Sequence, residues 1–178
     1  MNAHYKILHA SAGSGWEEKE QRILAEALWM KHNGHTIIIL SPEDSPLLAK
    51  AKTAGIKTYG ISFTLLSMLE DSKQVNRILY NEKPDIVNTH GHKDSKMILK
   101  AAKQNRVQLR IRTKHSPDGI RNFLNSTRNY QKYSHYLFTT SSGLRELMLT
   151  TFNLKDLEVF AIPGVDDFDV DINGEELS

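Results

Sequence analysis

Short β-branched runs alternate along this chain with amphipathic helical patterns, and that alternation restricts the fold more than any other feature of the sequence. Residues 5–10 read as a first strand, followed by the turn Ser11-Ala-Gly-Ser-Gly-Trp16 and a helical pattern from Glu17, in which Ile23, Leu24, Ala27 and Leu28 recur at helical spacing. Asn33-Gly34 supplies a C-terminal cap signal. Residues 35–40 form a buried strand; Ser45-Pro46 then offers a capping hydroxyl with proline at the first helical position, and Gly55 closes that helix. A strand over 56–61, a helix over 65–82 ended by Pro84, and a strand over 85–89 follow. Asp94 is the expected cap of a helix to about Asn105, after which come a strand over 107–113, a helix over 120–132 and a strand over 136–140. A helix capped by Ser141 or Ser142 runs to Thr151, and residues 158–162 make the seventh strand. Such regularity requires parallel crossovers, so the expected fold is α/β: a Rossmann-like, doubly wound, mostly parallel sheet of about seven strands in three layers. No linker, repeat or low-complexity segment divides it.

The composition fits a packed core. Of 178 residues 39% are hydrophobic and none is cysteine, which removes a disulfide framework, a thiolate metal site and a thiol nucleophile and points to a reducing, cytoplasmic setting. The longest strongly apolar run, 37–40, is far shorter than the roughly 20 residues of a membrane-spanning helix, and no apolar signal core opens the chain. Charge is unevenly spread. The net value is +2, yet six acids and no base follow Ala161, which leaves 23 bases against 15 acids over residues 1–160. Between Gly91 and His135 eleven bases face only Asp94 and Asp118, so that stretch is expected to attract anions.

In a doubly wound sheet, ligands bind beyond the carboxyl ends of the strands where the strand order reverses. With strands one and four adjacent, loops 12–16 and 90–93 face each other there, and Lys114-His115-Ser116 lies beside them. Gly13-Ser-Gly15 lets backbone amides approach a phosphate or sugar at a helix N-terminus, although glycines also simply make turns. A dinucleotide fingerprint is missing: its third glycine falls on Glu18, strand two ends in Leu40-Ser41 without a ribose-binding acid, and no phosphate-loop motif occurs. Glu20 either orients a hydroxyl-rich ligand or is an ordinary acid at a helix start. His90-Gly91-His92 has metal-ligand character but no third ligand in sight, so substrate hydrogen bonding and local structure are its two readings and no metal is expected. Arg112-Thr-Lys114-His115 places an imidazole and two cations at a strand end, where they meet developing negative charge or a sugar hydroxyl; a solvated, noncatalytic His115 is the alternative.

Taken in order, these residues resemble the N-terminal domain of family-4 glycosyltransferases of the GT-B fold. The likeness rests on the glycine loop followed by Glu20-Gln-Arg-Ile-Leu-Ala-Glu-Ala-Leu28, on Asn33-Gly-His-Thr36, Ala54-Gly-Ile56 and Lys83-Pro-Asp-Ile-Val-Asn-Thr-His-Gly91, and on Arg112-Thr-Lys-His115. Phe138-Thr-Thr-Ser141 with Leu144-Arg-Glu-Leu147 and Ile162-Pro-Gly-Val-Asp166 extend it over about residues 5–166. The resemblance implies transfer of a sugar from a nucleotide-sugar donor, bound as substrate, to a glycan or glycolipid acceptor, with retention of configuration and without metal or other cofactor. Cell-surface polysaccharide or lipopolysaccharide synthesis is the implied setting. By motif position, Gly13 and Gly15 resemble the phosphate-side loop, His90 and Gly91 a cleft wall, and His115 the histidine near the reacting sugar. Glu20, Arg112 and Lys114 complete the expected substrate-binding set, with His115 the catalytic candidate.

The chain departs from the family where a Gly-Gly pair before x-Glu is replaced by Glu17-Glu18-Lys19-Glu20. The expected organisation is an acceptor-side domain over 1–166, with 167–178 an acidic tail or the start of a donor-binding domain, and catalysis dependent on a second domain or chain. The basic stretch suits acidic sugars, a lipid diphosphate or the anionic inner face of a membrane, where peripheral contact is expected. A noncatalytic anion- or nucleic-acid-binding module is the alternative, disfavoured because the bases are not interleaved with aromatics. A nucleotide-sugar epimerase of the same architecture is a third reading that fold alone does not separate.

Overall fold

A computed structural model describes residues 3–118, 130, 132–152, 154 and 158–162. Its elements are β1 (Lys6–Ala10), α1 (Glu18–His32), β2 (Thr36–Ser41), α2 (Pro46–Thr53), β3 (Lys57–Gly60), α3 (Met68–Glu82) and β4 (Ile86–Thr89). They continue with α4 (His92–Gln104), β5 (Leu109–Lys114), β6 (Tyr136–Thr139), α5 (Ser142–Phe152) and β7 (Val159–Ala161). The seven strands form one all-parallel sheet in the order β3-β2-β1-β4-β5-β6-β7, as the alternation of strand and helix patterns requires. The order reverses between β1 and β4, where Leu8 pairs with Val87 and Ala10 with Thr89.

The period-two alternation of strand side chains divides the core between the two faces. Leu8, Ala10, Ile38, Leu40 and Val87 pack against α3 and α4 through Val75, Leu79, Ile98 and Ala102. Ile7, Ile37 and Ile39 point the other way, onto Ile23 and Leu24 of α1 and Leu47 and Leu48 of α2. Because both faces are covered, β2 tolerates four consecutive large aliphatics, a composition proper to interior parallel strands. A smaller cluster of Leu137, Val159, Met148 and Phe152 holds α5 to β6 and β7.

Helix ends follow local chemistry. The Ser45 hydroxyl accepts from the Leu48 amide at 3.2 Å with Pro46 at the first helical position, and Gly55 leaves α2 at φ 66°. The α3 helix starts at Met68, later than the expected 65, because the Asp71 carboxylate accepts from the Ser62 and Ser67 hydroxyls and the Phe63 amide and so folds the preceding loop back on itself. The α4 helix begins at His92, so Asp94 is its third residue and not its cap; the carboxylate reaches back to the amides of His90 and Gly91 at 3.1 and 3.0 Å. Strand β5 begins at Leu109 instead of 107, since the Val107 amide is drawn to the Ala102 carbonyl and Arg106 turns the chain at φ 57°. Ser141, not Ser142, caps α5, its hydroxyl accepting from the Leu144 amide. The predicted helix over 120–132 falls mostly outside the described residues, as do Pro163–Asp166 of the last motif and the acidic tail.

The fully buried Ile38, in a strand covered on both faces, is the position to probe. We expect Ile38→Ala to cost about 3 kcal/mol in urea denaturation, whereas Leu66→Ala, at a side chain 100% exposed, stays within about 0.5 kcal/mol of the parent.

Candidate functional site

Three chain segments meet at the carboxyl end of the sheet because β1, β4 and β5 are neighbours and parallel. The first is the loop from Ser11 to the start of α1. Gly13 stands where a Cβ atom would lie 2.1 Å from Oε1 of Glu20, so any side chain there collides with that carboxylate. Glu20 is 2% exposed; it accepts from the Ser11 hydroxyl at 3.4 Å and the Glu17 amide at 3.3 Å, and pairs with Lys19 at 2.9 Å. Its carboxylate thus braces the loop from within, neither solvated nor presented to a ligand. A Cβ on Gly15 would meet the Glu17 side chain at 3.7 Å, an ordinary contact, so the loop itself does not demand glycine there.

The second segment is the turn His90-Gly91. The His90 amide donates to the Ala10 carbonyl at 2.9 Å, which extends the β1–β4 ladder and sends the imidazole inward, where it is 4% exposed. Gly91 is required for its own turn: a Cβ would sit 2.3 Å from Oδ1 of Asp94. His92 lies exposed on the first turn of α4, with Nδ1 3.5 Å from the Arg112 guanidinium. Since both ring nitrogens of His90 are engaged elsewhere, the two imidazoles of His90-Gly91-His92 do not converge.

The third segment is the end of β5. His115 Nε2 lies 2.9 Å from Nδ1 of His90, and His90 Nε2 lies 3.0 Å from Nδ1 of His9, so three imidazoles form a continuous hydrogen-bonded chain. The His9 and His90 rings stack at 5.3 Å and 16°. His9 is 1% exposed and its Nε2 has no hydrogen-bond partner among the described residues. It borders a cavity of about 240 Å³ between α1 and the sheet, whose other walls include Ile7, Arg22, Trp29, Asn88 and Phe138.

Burial sets the charge of the chain. It lowers His9 to about 4, and lowers His115 to about 3 with help from the Arg22, Lys19 and Lys114 cations. His90 is pushed well down by burial and by its two histidine neighbours. The three rings are therefore neutral at physiological pH, and the positive potential of the crevice comes from the cations around them. Lys114 is half-buried and lowered by desolvation and by Arg112.

Of the expected site residues, the structure brings His90, Gly91, Lys114, His115 and the glycine loop to one mouth. Arg112 is turned away: it is 7% exposed, stacked 4.0 Å over the Tyr130 ring and close to Asp94 under α4. His9 is the residue that inspection of the sequence passed over. Its signal was a single ring-bearing polar side chain on the inward phase of an otherwise aliphatic strand, Lys-Ile-Leu-His-Ala. Among the described residues, no group of three His, Asp or Glu side chains is arranged to hold a metal ion.

The family model described as Glycosyltransferase Family 4 matches residues 20–166. No curated protein matches the sequence. Among solved structures, a glycosyltransferase from Rickettsia africae superposes with a TM-score of 0.71 at 19% identity, over 91% of this chain and 43% of that one. Anabaena HepE in complex with UDP-glucose gives 0.68 at 13% identity over 90% and 44%, and the lipopolysaccharide outer core galactosyltransferase WaaB gives 0.65 at 18% over 89% and 45%. At these identities the likeness is one of fold, and the chain spans less than half the length of each.

Two outcomes follow from the geometry. Gly13→Ala displaces Glu20 and should cost about 1–3 kcal/mol by denaturation, while Gly15→Ala leaves stability nearly unchanged. Because His9 is lowered from 6.5 to about 4, the unfolded chain binds the proton first as pH falls. Stability is therefore flat above about pH 6.5 and declines towards pH 4, by roughly 3 kcal/mol from His9 alone, and His9→Phe flattens that slope in urea titrations across pH.

Proposed function

The chain belongs to glycosyltransferase family 4, and on that premise we propose that residues 1–166 are the acceptor-side half of a transferase that moves a sugar from a nucleotide-sugar donor to a glycan or glycolipid acceptor. The observation that carries this reading is the meeting of the exposed loop at Gly15, the histidine chain and the cations Lys19 and Lys114 at the strand-order reversal. A nucleotide diphosphate is an anion that backbone amides at a helix start and nearby ammonium groups stabilise as charge develops on the departing oxygen. In this scheme those groups take the part that a metal plays elsewhere, and transfer is metal-independent and retaining. That a fold relative was solved with UDP-glucose bound supports a uridine nucleotide sugar as the first donor to try.

Transfer also requires the donor and acceptor to be held against one another, and the relatives in fold are about twice as long as this chain. We therefore propose that turnover needs the other half, in the same or a second chain. The acceptor belongs to surface polysaccharide or lipopolysaccharide, in keeping with the fold relative WaaB. Exposed Lys96, Lys100 and Lys103 on α4 suit an anionic membrane face, and the reaction we propose runs on the cytoplasmic side of it. No helix among the described residues is long and apolar enough to cross a membrane. The nucleic-acid alternative loses ground because Arg110 is spent on the carbonyls of Val107 and Tyr133, and Arg112 is buried.

Titration of the chain with a panel of nucleotide sugars, followed by amide NMR, tests the reading. We expect weak saturable shifts confined to residues 11–16, 90–91 and 114–116 and lost in Lys114→Ala, with no sugar transferred by this chain alone. Shifts on α4 only, insensitive to the sugar and abolished by moderate salt, would instead support the anion-binding module.

A further inference from the structure

We propose that His9, His90 and His115 act as one tautomeric unit, in which buried His9, as a positioning residue, makes Nδ1 of His115 a neutral hydrogen-bond donor to the substrate. The proposal rests on the preceding section in taking His115 to face the substrate. Its first support is connectivity. Each link joins Nδ1 of one ring to Nε2 of the next, His9 to His90 at 3.0 Å and His90 to His115 at 2.9 Å. A neutral imidazole carries one N–H and one lone pair. For each link to be a hydrogen bond, the three rings must all be Nδ1–H or all be Nε2–H; any mixture sets two protons or two lone pairs against each other. The far nitrogen of His9 and the remaining nitrogen of His115 are thereby coupled across two rings.

The second support fixes the direction. Nε2 of His9 is buried, without a partner among the described residues, in a cavity whose walls are mostly aliphatic and aromatic. With every ring Nε2–H, that position holds a stranded N–H donor; with every ring Nδ1–H, it holds an unused lone pair. Buried unpaired N–H groups are the rarer and costlier case. The Nδ1–H state follows, although an imidazole free in water prefers Nε2–H. Nδ1 of His115 has no partner among the described residues, which leaves its proton for a ligand. The charged groups facing the chain are Lys19, Arg22 and Lys114 around His115, Lys19 and Arg22 around His90, and Arg22 with its partner Glu26 at the cavity beside His9. Asp94 touches His90 only at its amide. A neutral donor has a use beside these cations, because it bonds an anionic oxygen without adding a further charge to be desolvated.

The test is 15N NMR of imidazole nitrogens in the histidine-labelled 178-residue chain at neutral pH. All three rings should report a protonated Nδ1 and an unprotonated Nε2. Any of the three found as Nε2–H or as the cation overturns the proposal. In His9→Phe, which ends the chain at an apolar ring, His115 should shift towards the Nε2–H form. In His9→Asn, whose amide can donate from the place of Nδ1, His115 should stay Nδ1–H. An unchanged His115 in a folded His9→Phe refutes the coupling, and the wild-type spectrum decides the tautomers even where a variant fails to fold. None of these readings uses a sugar or a turnover. Failure of nucleotide sugars to shift residues 114–116 therefore counts against the transferase reading, separately from the tautomer result.

Discussion

The parallel pairing of β1 with β4 is the constraint from which the site follows. These strands are far apart in sequence and lie side by side only because the winding changes direction between them. The junction is fastened at both ends: the Lys6 amide donates to the Asp85 carboxylate at 2.8 Å, and the His90 amide donates to the Ala10 carbonyl at 2.9 Å. Helices entering and leaving on opposite faces cannot both cover the carboxyl end at such a reversal, so a crevice remains there. Register does the rest. His9 lies opposite Asn88 in the ladder, and the next turn of chain brings the His90 ring against it.

Within that crevice, charge and hydrogen bonding are divided between different residues. The positive potential belongs to Lys19, Arg22 and Lys114, while the buried imidazoles stay neutral because desolvation and those same cations oppose a further charge. Glu20 has the same sign as the anion expected at the helix start. Its carboxylate does not oppose an incoming anion from the open side, because it is drawn under the loop by Ser11, the Glu17 amide and Lys19. Gly13 exists to make room for that arrangement, and Gly91 does the same for Asp94. Both are cases in which a glycine serves a buried acid and not a positive φ.

Much of the fold could be read from local chemistry. The strand–helix alternation, the Ser45-Pro46 cap and the exits at Gly34 and Gly55 each express an interaction within a few residues, and these survive in the folded chain. Boundaries moved where a side chain reached outside its own element, as Asp71 and Asp94 do. The site was legible in part. Loop position alone named His90, Lys114 and His115, but it also named Arg112, whose strand phase points it beneath Tyr130, and it missed His9, which sits inside a strand and not in a loop.

By itself, then, the sequence determined the class of fold, the segments that end at the crevice and the membership of the family, because periodicity, caps and motif order are properties of neighbouring residues. Only the tertiary structure decided which of those side chains meet. Whether an imidazole is solvated or linked to two others depends on strand register and face, and these are set by the pairing of β1, β4 and β5 across 79 and 23 residues of chain.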